Sequence, residues 1–228
     1  MRWGRSPRWR PSAQRQRGHT VFGFRSHPRP RLVADRVYLR YPLLSDWRAW
    51  AELRDASRAF LTPWEPTWPP DALERNAFRR RLRRQYLEIE QDRGYPFFIF
   101  DLADNRLLGG VSLSNVRRGV TQAGTVGYWI GAEHACQGYM TEAVCAIVGF
   151  AFSGLKLHRV DAICIPDNRP SRRLLEHLGF EEEGRVRGAL KINGAWRDHV
   201  SYAILRDDPA SPVPRPRPVE AAAARQRV

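Results

Sequence analysis

The residues with the most to offer chemically lie in the stretch YWIGAEHACQGYMTEAV, residues 128–144. An apolar strand runs into Gly131, a short loop follows, and a helix is predicted to begin near Gln137 and Gly138. A helix start leaves about four backbone N–H groups without intrahelical partners and carries a partial positive charge. An anion such as a pyrophosphate fits there. Gly138 lacks a Cβ, so a phosphate can approach its backbone. Gly127, inside the preceding strand, predicts a bulge or the close approach of a ligand. Taken alone, one glycine at a helix start serves packing as readily as phosphate binding.

A second stretch, IPDNRPSRRLLEHLGF at residues 165–180, supplies polar groups at a strand end. Pro166 removes a backbone donor there. Asn168 can cap the following helix and can also hydrogen-bond an amide-bearing ligand. Pro170 falls in the first turn, where its missing N–H does no harm. Ser171 follows on the same turn, with its hydroxyl near the open end of a sheet. Capping alone would also account for both Asn168 and Ser171.

These groups need a scaffold to position them. Val37–Tyr41 alternates as a strand does, and Ser45 is placed to cap a helix running to about Ala59, with Trp47, Trp50, Ala51 and Leu53 at helical spacing. Residues 60–70, FLTPWEPTWPP, form a stiff aromatic loop, because four Pro forbid a regular helix. Asp71 is expected to cap a second helix that ends near Gln91. Strands follow at Tyr95–Asp101 and Leu107–Asn115, turning at Asp104 and Asn105, and then at Thr125–Ile130. Gln137–Phe152 reads as a helix with Met140, Ala143, Val144, Ile147 and Ala151 on one face. Val160–Ile165 is a strand, and Asn168–Leu178 a helix stopped by Gly179. Strands at Phe180–Leu190 and Trp196–Leu205 meet at the turn Asn193-Gly194. Most strands are joined by hairpins, while the 137–152 helix crosses between two parallel strands. The fold class expected is α+β, a mixed and mostly antiparallel sheet flanked by helices.

Together these stretches resemble the GNAT acetyltransferase superfamily, and within it the RimJ/RimL-like protein N-terminal acetyltransferases. The resemblance covers about residues 35–207. It rests on Y-W-I-G at Tyr128–Gly131, C-Q-G-Y-M-T-E-A at Cys136–Ala143, Asn168–Ser171, L-E-x-L-G-F at Leu175–Phe180, and G-x-W-R-D-H at Gly194–His199. The chain departs from the superfamily loop at Ala135, Cys136 and Met140, and it has Leu190 where a related branch carries Glu. The resemblance implies acetyl-CoA as co-substrate and no metal. It implies cofactor contacts from Trp129, Ile130, Cys136, Gln137, Gly138, Tyr139, Met140, Thr141 and Asn168. By the same analogy, backbone N–H groups of Tyr128–Ile130 would polarise the thioester carbonyl. Ser171, beside Asn168, would sit near the sulfur and donate a proton to the leaving thiolate. Glu65, in the loop lining the acceptor site, could attract an ammonium group or relay its proton. With Leu190 in place of Glu, a site without a dedicated base favours α-amines over lysines. Deprotonating a lysine costs about 3.5 kcal/mol more than deprotonating an α-amine. The implied reaction is acetylation of a protein N-terminus, such as that of a ribosomal protein. Two other readings stand beside it: a GNAT enzyme for a small amine (antibiotic, polyamine or amino acid), and a non-catalytic ribosome- or RNA-binding scaffold.

Composition sets the limits. Hydrophobic content of 43% and aromatic content of 11% suffice for a real core. The net charge of +14 suggests nucleic acid, but its placement argues otherwise. Residues 1–34 hold nine Arg and no acid, and residues 209–228 hold four Arg and one Glu, so the chain between is nearly neutral. Two Pro- and Arg-rich tails, 1–34 and 208–228, are expected around a domain at 35–207, able at most to touch ribosome or RNA weakly. Cys136, Cys145 and Cys164 form no metal or CxxC spacing, which fits the reducing cytoplasm. The longest apolar run, Ala143–Phe152, is too short to span a bilayer. A monomer or homodimer is expected.

Overall fold

A computed structural model of the chain describes residues 30–211. Eight strands form one sheet in the order β1-β2-β3-β4-β5-β6-β8-β7. They are β1 (Leu32–Val33), β2 (Val37–Arg40), β3 (Tyr95–Asp101), β4 (Leu107–Arg117), β5 (Ala123–Ile130), β6 (Arg159–Cys164), β7 (Glu181–Ile192) and β8 (Ala195–Leu205). Every neighbouring pair is antiparallel except β5 and β6, which run parallel, as the connecting helix requires.

Side-chain alternation divides the core into two layers. Val37, Leu39, Phe97, Ile99 and Val111 face α4 (Tyr139–Gly149). Tyr38, Phe98, Phe100 and Leu107 face α1 (Trp47–Ala56) and α3 (Arg75–Glu90), where Trp50 and Phe78 pack. The apolar run of β3 thus buries both faces, as a covered strand must. Helix α4 is apolar almost all round and buried, and it closes in one π-type turn at Phe150–Gly154.

Several expectations give way to tertiary contacts. Ser45 is not a cap: Leu44–Asp46 forms a 3-10 turn. There the Asp46 carboxylate accepts from the Leu43 N–H at 2.7 Å and pairs with Arg40 at 2.7 Å. The first helix ends at Ala56, and a short α2 (Arg58–Leu61) carries the chain on to Pro63. Asp71 is not a cap either. It lies in a turn before α3, whose N-cap is Glu74, and its carboxylate pairs with Arg80. Gly127 makes no bulge: it sits in register with Ser112, and the irregularity of β4–β5 falls between Ser114 and Arg117.

At the N-terminal end the fold begins inside the segment expected as a tail. β1 pairs with β2, and Leu32 is 2% exposed within the main core. The rest of the expected tails, residues 1–29 and 212–228, lies outside the described residues. Removing the Leu32 side chain takes a buried contact from both β1 and the core. Leu32→Ala is therefore expected to cost about 2–5 kcal/mol in urea unfolding. A chain trimmed to residues 30–211 should unfold like the full one. A Leu32→Ala variant as stable as the parent would show that β1 is dispensable.

Candidate active site

The site grows out of the one parallel pair. β5 and β6 are in register only at Ala123–Arg159, Gly124–Val160 and Thr125–Asp161. Beyond Thr125, β5 stays with β4 as far as Ile130, and β6 stays with β8 as far as Cys164. The Gly131 N–H donates to the Leu108 carbonyl at 2.9 Å. The antiparallel alternation then turns the N–H groups of Tyr128 and Ile130 away from β4, toward the opening.

Helix α4 starts next to that opening. Two left-handed residues, Cys136 (φ 59°) and Gly138 (φ 86°), curl the loop ahead of it. The Glu142 N–H closes the first helical turn onto the Gly138 carbonyl at 3.2 Å. The N–H groups of Tyr139, Met140 and Thr141 therefore precede the first intrahelical bond. Gly138 is required by its φ, which disfavours a side chain; the tip of Arg36, 2.9 Å from where a Cβ would lie, could give way. These groups fit a pyrophosphate.

Arg36, from the turn between β1 and β2, was not legible as a site residue. Its Nε donates to Glu142 Oε1 at 2.6 Å and its backbone N–H to Glu142 Oε2 at 2.8 Å. Its Nη2 donates to the Gln137 carbonyl at 3.0 Å, and its guanidinium lies 4.7 Å over the Tyr139 ring. The hydrogen bond that Arg36 donates to Glu142 raises the Arg36 pKa, and it fixes the guanidinium at the N-terminal end of α4.

The structure divides the expected cofactor residues. Cys136 and Gln137 are exposed on the loop, and Tyr139 and Thr141 are half-buried. The Gln137 side-chain amide donates back to the Glu133 carbonyl at 2.7 Å. Met140 points into the core at 7% exposure, so it can offer only its N–H. Trp129 turns its indole toward the α1/α3 layer, with the Arg54 guanidinium 4.9 Å above the ring. Its backbone is paired with β4, so of Trp129 and Ile130 only Ile130 turns an N–H to the opening.

Across the opening, Asn168 and Ser171 separate in role. Asn168 Oδ1 accepts from the Ser171 N–H at 3.2 Å and caps α5 (Arg169–His177). The Ser171 hydroxyl takes no part in that cap. Its Oγ lies 2.8 Å from the Tyr128 hydroxyl, so the pair bridges α5 and β5. Burial pushes the Tyr128 phenol well above its usual range, which keeps it protonated and able to donate. The sequence marked Tyr128 as a strand residue; its hydroxyl's partner is 43 positions away.

Tyr128 also lines a cavity of about 130 Å³, whose other walls include Glu65, Arg81, Gln85, Phe98 and Trp129. Its floor is open at Gly127, where a Cβ would meet only Ser112 Oγ at 3.9 Å. Glu65 does reach this cavity, as expected, but its carboxylate is already engaged. Arg54 donates to it through both Nη atoms, one at 3.1 Å, and Trp68 Nε1 donates at 2.8 Å. The Asn193 N–H holds its carbonyl at 2.9 Å. Arg54 is buried, with Trp68 4.2 Å from its guanidinium. A proton taken up by Glu65 would break a two-pronged ion pair, so Glu65 anchors its loop rather than serving as a base. Among the described residues no other carboxylate lines the cavity, and Leu190 lies half-exposed on β7.

The sequence matches the family profile described as acetyltransferase (GNAT) domain over residues 36–181. It is 38% identical over 172 residues to a probable N-acetyltransferase, YjcK, of Bacillus subtilis, covering 75% of this chain and 95% of that protein. It is 36% identical over 191 residues to the ribosomal protein uS5-alanine N-acetyltransferase of Escherichia coli, covering 82% of this chain and 97% of that one. Among solved structures, RimJ of Mycobacterium smegmatis in complex with CoA-disulfide superposes with a TM-score of 0.73 at 32% identity. That match spans 77% of this chain and 85% of the other.

The open floor at Gly127 gives a clean test of the cavity. Gly127 has an ordinary strand conformation, so Gly127→Val should fold with little loss of stability. The added side chain would occupy the cavity. The KM for an acceptor amine is expected to rise at least tenfold while acetyl-CoA affinity, measured by calorimetry, stays unchanged. An unaltered acceptor KM in the folded variant would remove this cavity from the acceptor's path.

Proposed function

Because the chain belongs to the acetyltransferase (GNAT) family, we propose that this N-acetyltransferase moves the acetyl group of acetyl-CoA to the N-terminal α-amine of a protein, with ribosomal proteins as the acceptor class. The relative named for acetylating ribosomal protein uS5 supports the acceptor, since the likeness extends over 97% of its length. The observation that carries the reading is the opening between β5 and β6, with a phosphate cradle at α4 and a cavity walled by Tyr128 and Trp129.

Each part has a role. The N–H groups of Tyr139, Met140 and Thr141, together with Arg36, hold the pyrophosphate of the co-substrate. The N–H groups of Tyr128 and Ile130 polarise the thioester carbonyl in the opening. The cavity admits a neutral α-amine, which is appreciably populated at neutral pH because its pKa is about 7.7–8. The nitrogen attacks the carbonyl carbon, the C–N bond forms, and the C–S bond breaks. Ser171 gives its hydroxyl proton to the departing sulfur and is resupplied by the Tyr128 phenol, which regains a proton from water. The surplus proton on nitrogen leaves to water, since Glu65 is committed to Arg54. Asn168 fixes the turn that aims Ser171.

Two measurements follow from this chemistry. Log(kcat/KM) should rise with pH up to the acceptor's own amine pKa, near 8, and then level. An acceptor with a different amine pKa should move that limb by the same amount. A limb that stays put when the acceptor changes would point to a protein base. Ser171→Ala should lower kcat at least about tenfold with acetyl-CoA affinity retained, and Tyr128→Phe should act in the same direction. A kcat untouched by either change would remove the hydroxyl pair from the reaction. The acceptor itself is tested by mass spectrometry of protein N-termini in cells with and without the gene. Loss of acetyl groups from a ribosomal protein is expected. An unchanged set of N-termini, with a small amine acetylated by the purified enzyme, would overturn the peptide reading.

A further inference from the structure

Two polar side chains on the cavity wall have no use in the chemistry above. Arg81 and Gln85 lie one turn apart on α3, on a common face, and both line the cavity opposite the β4–β5 floor. Among the described residues Arg81 forms no ion pair and no hydrogen bond. Its one close partner is the Trp50 ring, 5.7 Å from the guanidinium carbon. Gln85 Oε1 is buried and accepts no hydrogen bond. The neighbouring charges do not neutralise Arg81. Arg54 takes up the Glu65 carboxylate in a two-pronged pair, and Trp68 adds a donor to the same group. With Arg54 and Glu65 cancelling, and Arg84 and Glu88 on α3 opposing each other, Arg81 is left as one positive charge in excess.

A half-buried cation without an anion, beside a buried carbonyl oxygen without a donor, is unfavourable. The cost is recovered when a ligand supplies both missing partners. A peptide segment with an acidic side chain does so: its carboxylate matches the planar fork of an arginine, and its backbone N–H matches an amide oxygen.

We propose that Arg81 and Gln85 read the acceptor, Arg81 pairing with a carboxylate side chain within its first few residues and Gln85 Oε1 accepting from its backbone N–H. The enzyme would thereby prefer N-termini that carry an early Asp or Glu. Burial lowers the Arg81 pKa to about 10, with the Arg54 charge contributing, and this leaves Arg81 a cation at neutral pH. The inference rests on the peptide-acceptor reading and refines it.

The experiment compares two peptide series with the same N-terminal residue, one with Asp or Glu at the second, third or fourth position and one with Asn or Gln there. Both are assayed with the parent enzyme, Arg81→Gln and Arg81→Lys. The parent should favour the best acidic peptide at least tenfold in kcat/KM. Arg81→Gln should lose that preference while still acetylating the neutral peptides and binding acetyl-CoA normally. Arg81→Lys should keep part of it, since a point charge remains without the fork. The melting temperature separates recognition from a structural role. Removing an unpaired, half-buried charge should leave Tm equal or higher, whereas a structural Arg81 would give a lower Tm in both variants. Equal rates on acidic and neutral peptides, or a preference that survives in Arg81→Gln, would overturn the inference and leave peptide acetylation standing. No turnover on any peptide, with acetyl-CoA still bound, would overturn the peptide reading and this inference with it.

Discussion

β5 and β6 remain paired over three residues each and then part, and the site exists because they do. Each strand is held by its outer neighbour: β5 by β4 out to Ile130, and β6 by β8 along its whole length. Parting therefore forfeits only the inner ladder. The closed end is clamped by charge. Asp161, the last paired residue on β6, takes Arg117 from β4 at 3.1 Å and Arg159 at 2.5 Å. Arg159 continues to Glu183 on β7 at 2.5 Å, and these carboxylates raise its pKa. Beyond the clamp, N–H groups of β5 face a gap instead of a strand. These donors are free to meet a carbonyl-bearing ligand. The N-terminus of α4, with its unpaired N–H groups, lies beside the gap and offers an anion its donors.

The two faces of the sheet then divide the labour. On the α4 side lie Arg36 and the curled loop at Cys136–Gly138, proposed to hold the phosphate, and the Ser171–Tyr128 pair, proposed to act at the reacting end. On the α1/α3 side, Arg54 fastens the proline-rich loop by gripping Glu65 between the Trp68 and Trp129 rings. Tyr128 belongs to both, since its hydroxyl meets Ser171 while the residue lines the cavity. Leu190, where a related branch carries Glu, fits the proposed base-free route, since the carboxylate that lines the cavity, Glu65, is held by Arg54.

Much of this was legible in the sequence, and the rest was hidden for a physical reason. Strand Tyr95–Asp101, the Asn193-Gly194 hairpin turn, the parallel crossing by α4 and the Asn168 cap are local signals, and local signals survived folding. Asn193 and Gly194 adopt the positive φ that such a turn needs, at 42° and 82°. Ser45 and Asp71 were misplaced as caps because nearby groups competed: a 3-10 turn built around Asp46, and an ion pair to Arg80. Strand β1 is two residues long, too short for any period to register. The groups that matter most at the site were invisible because their partners are far along the chain. Arg36 meets Glu142 across 106 residues, and Tyr128 meets Ser171 across 43. Glu65 lines the cavity, but nothing in the loop announced that Arg54 would occupy it.

In the proposed mode, acetyl-CoA fills the opening between β5 and β6 and draws on backbone donors on both sides. Amide hydrogen exchange reads those donors directly, because an N–H without a partner exchanges fast and a hydrogen-bonded one slowly. The measurement is exchange in the presence and absence of saturating acetyl-CoA, resolved to single amides. Slowing is predicted at Tyr128 and Ile130 and at Tyr139, Met140 and Thr141, with the β7–β8 hairpin unchanged. Saturated binding without protection at these five amides would contradict it.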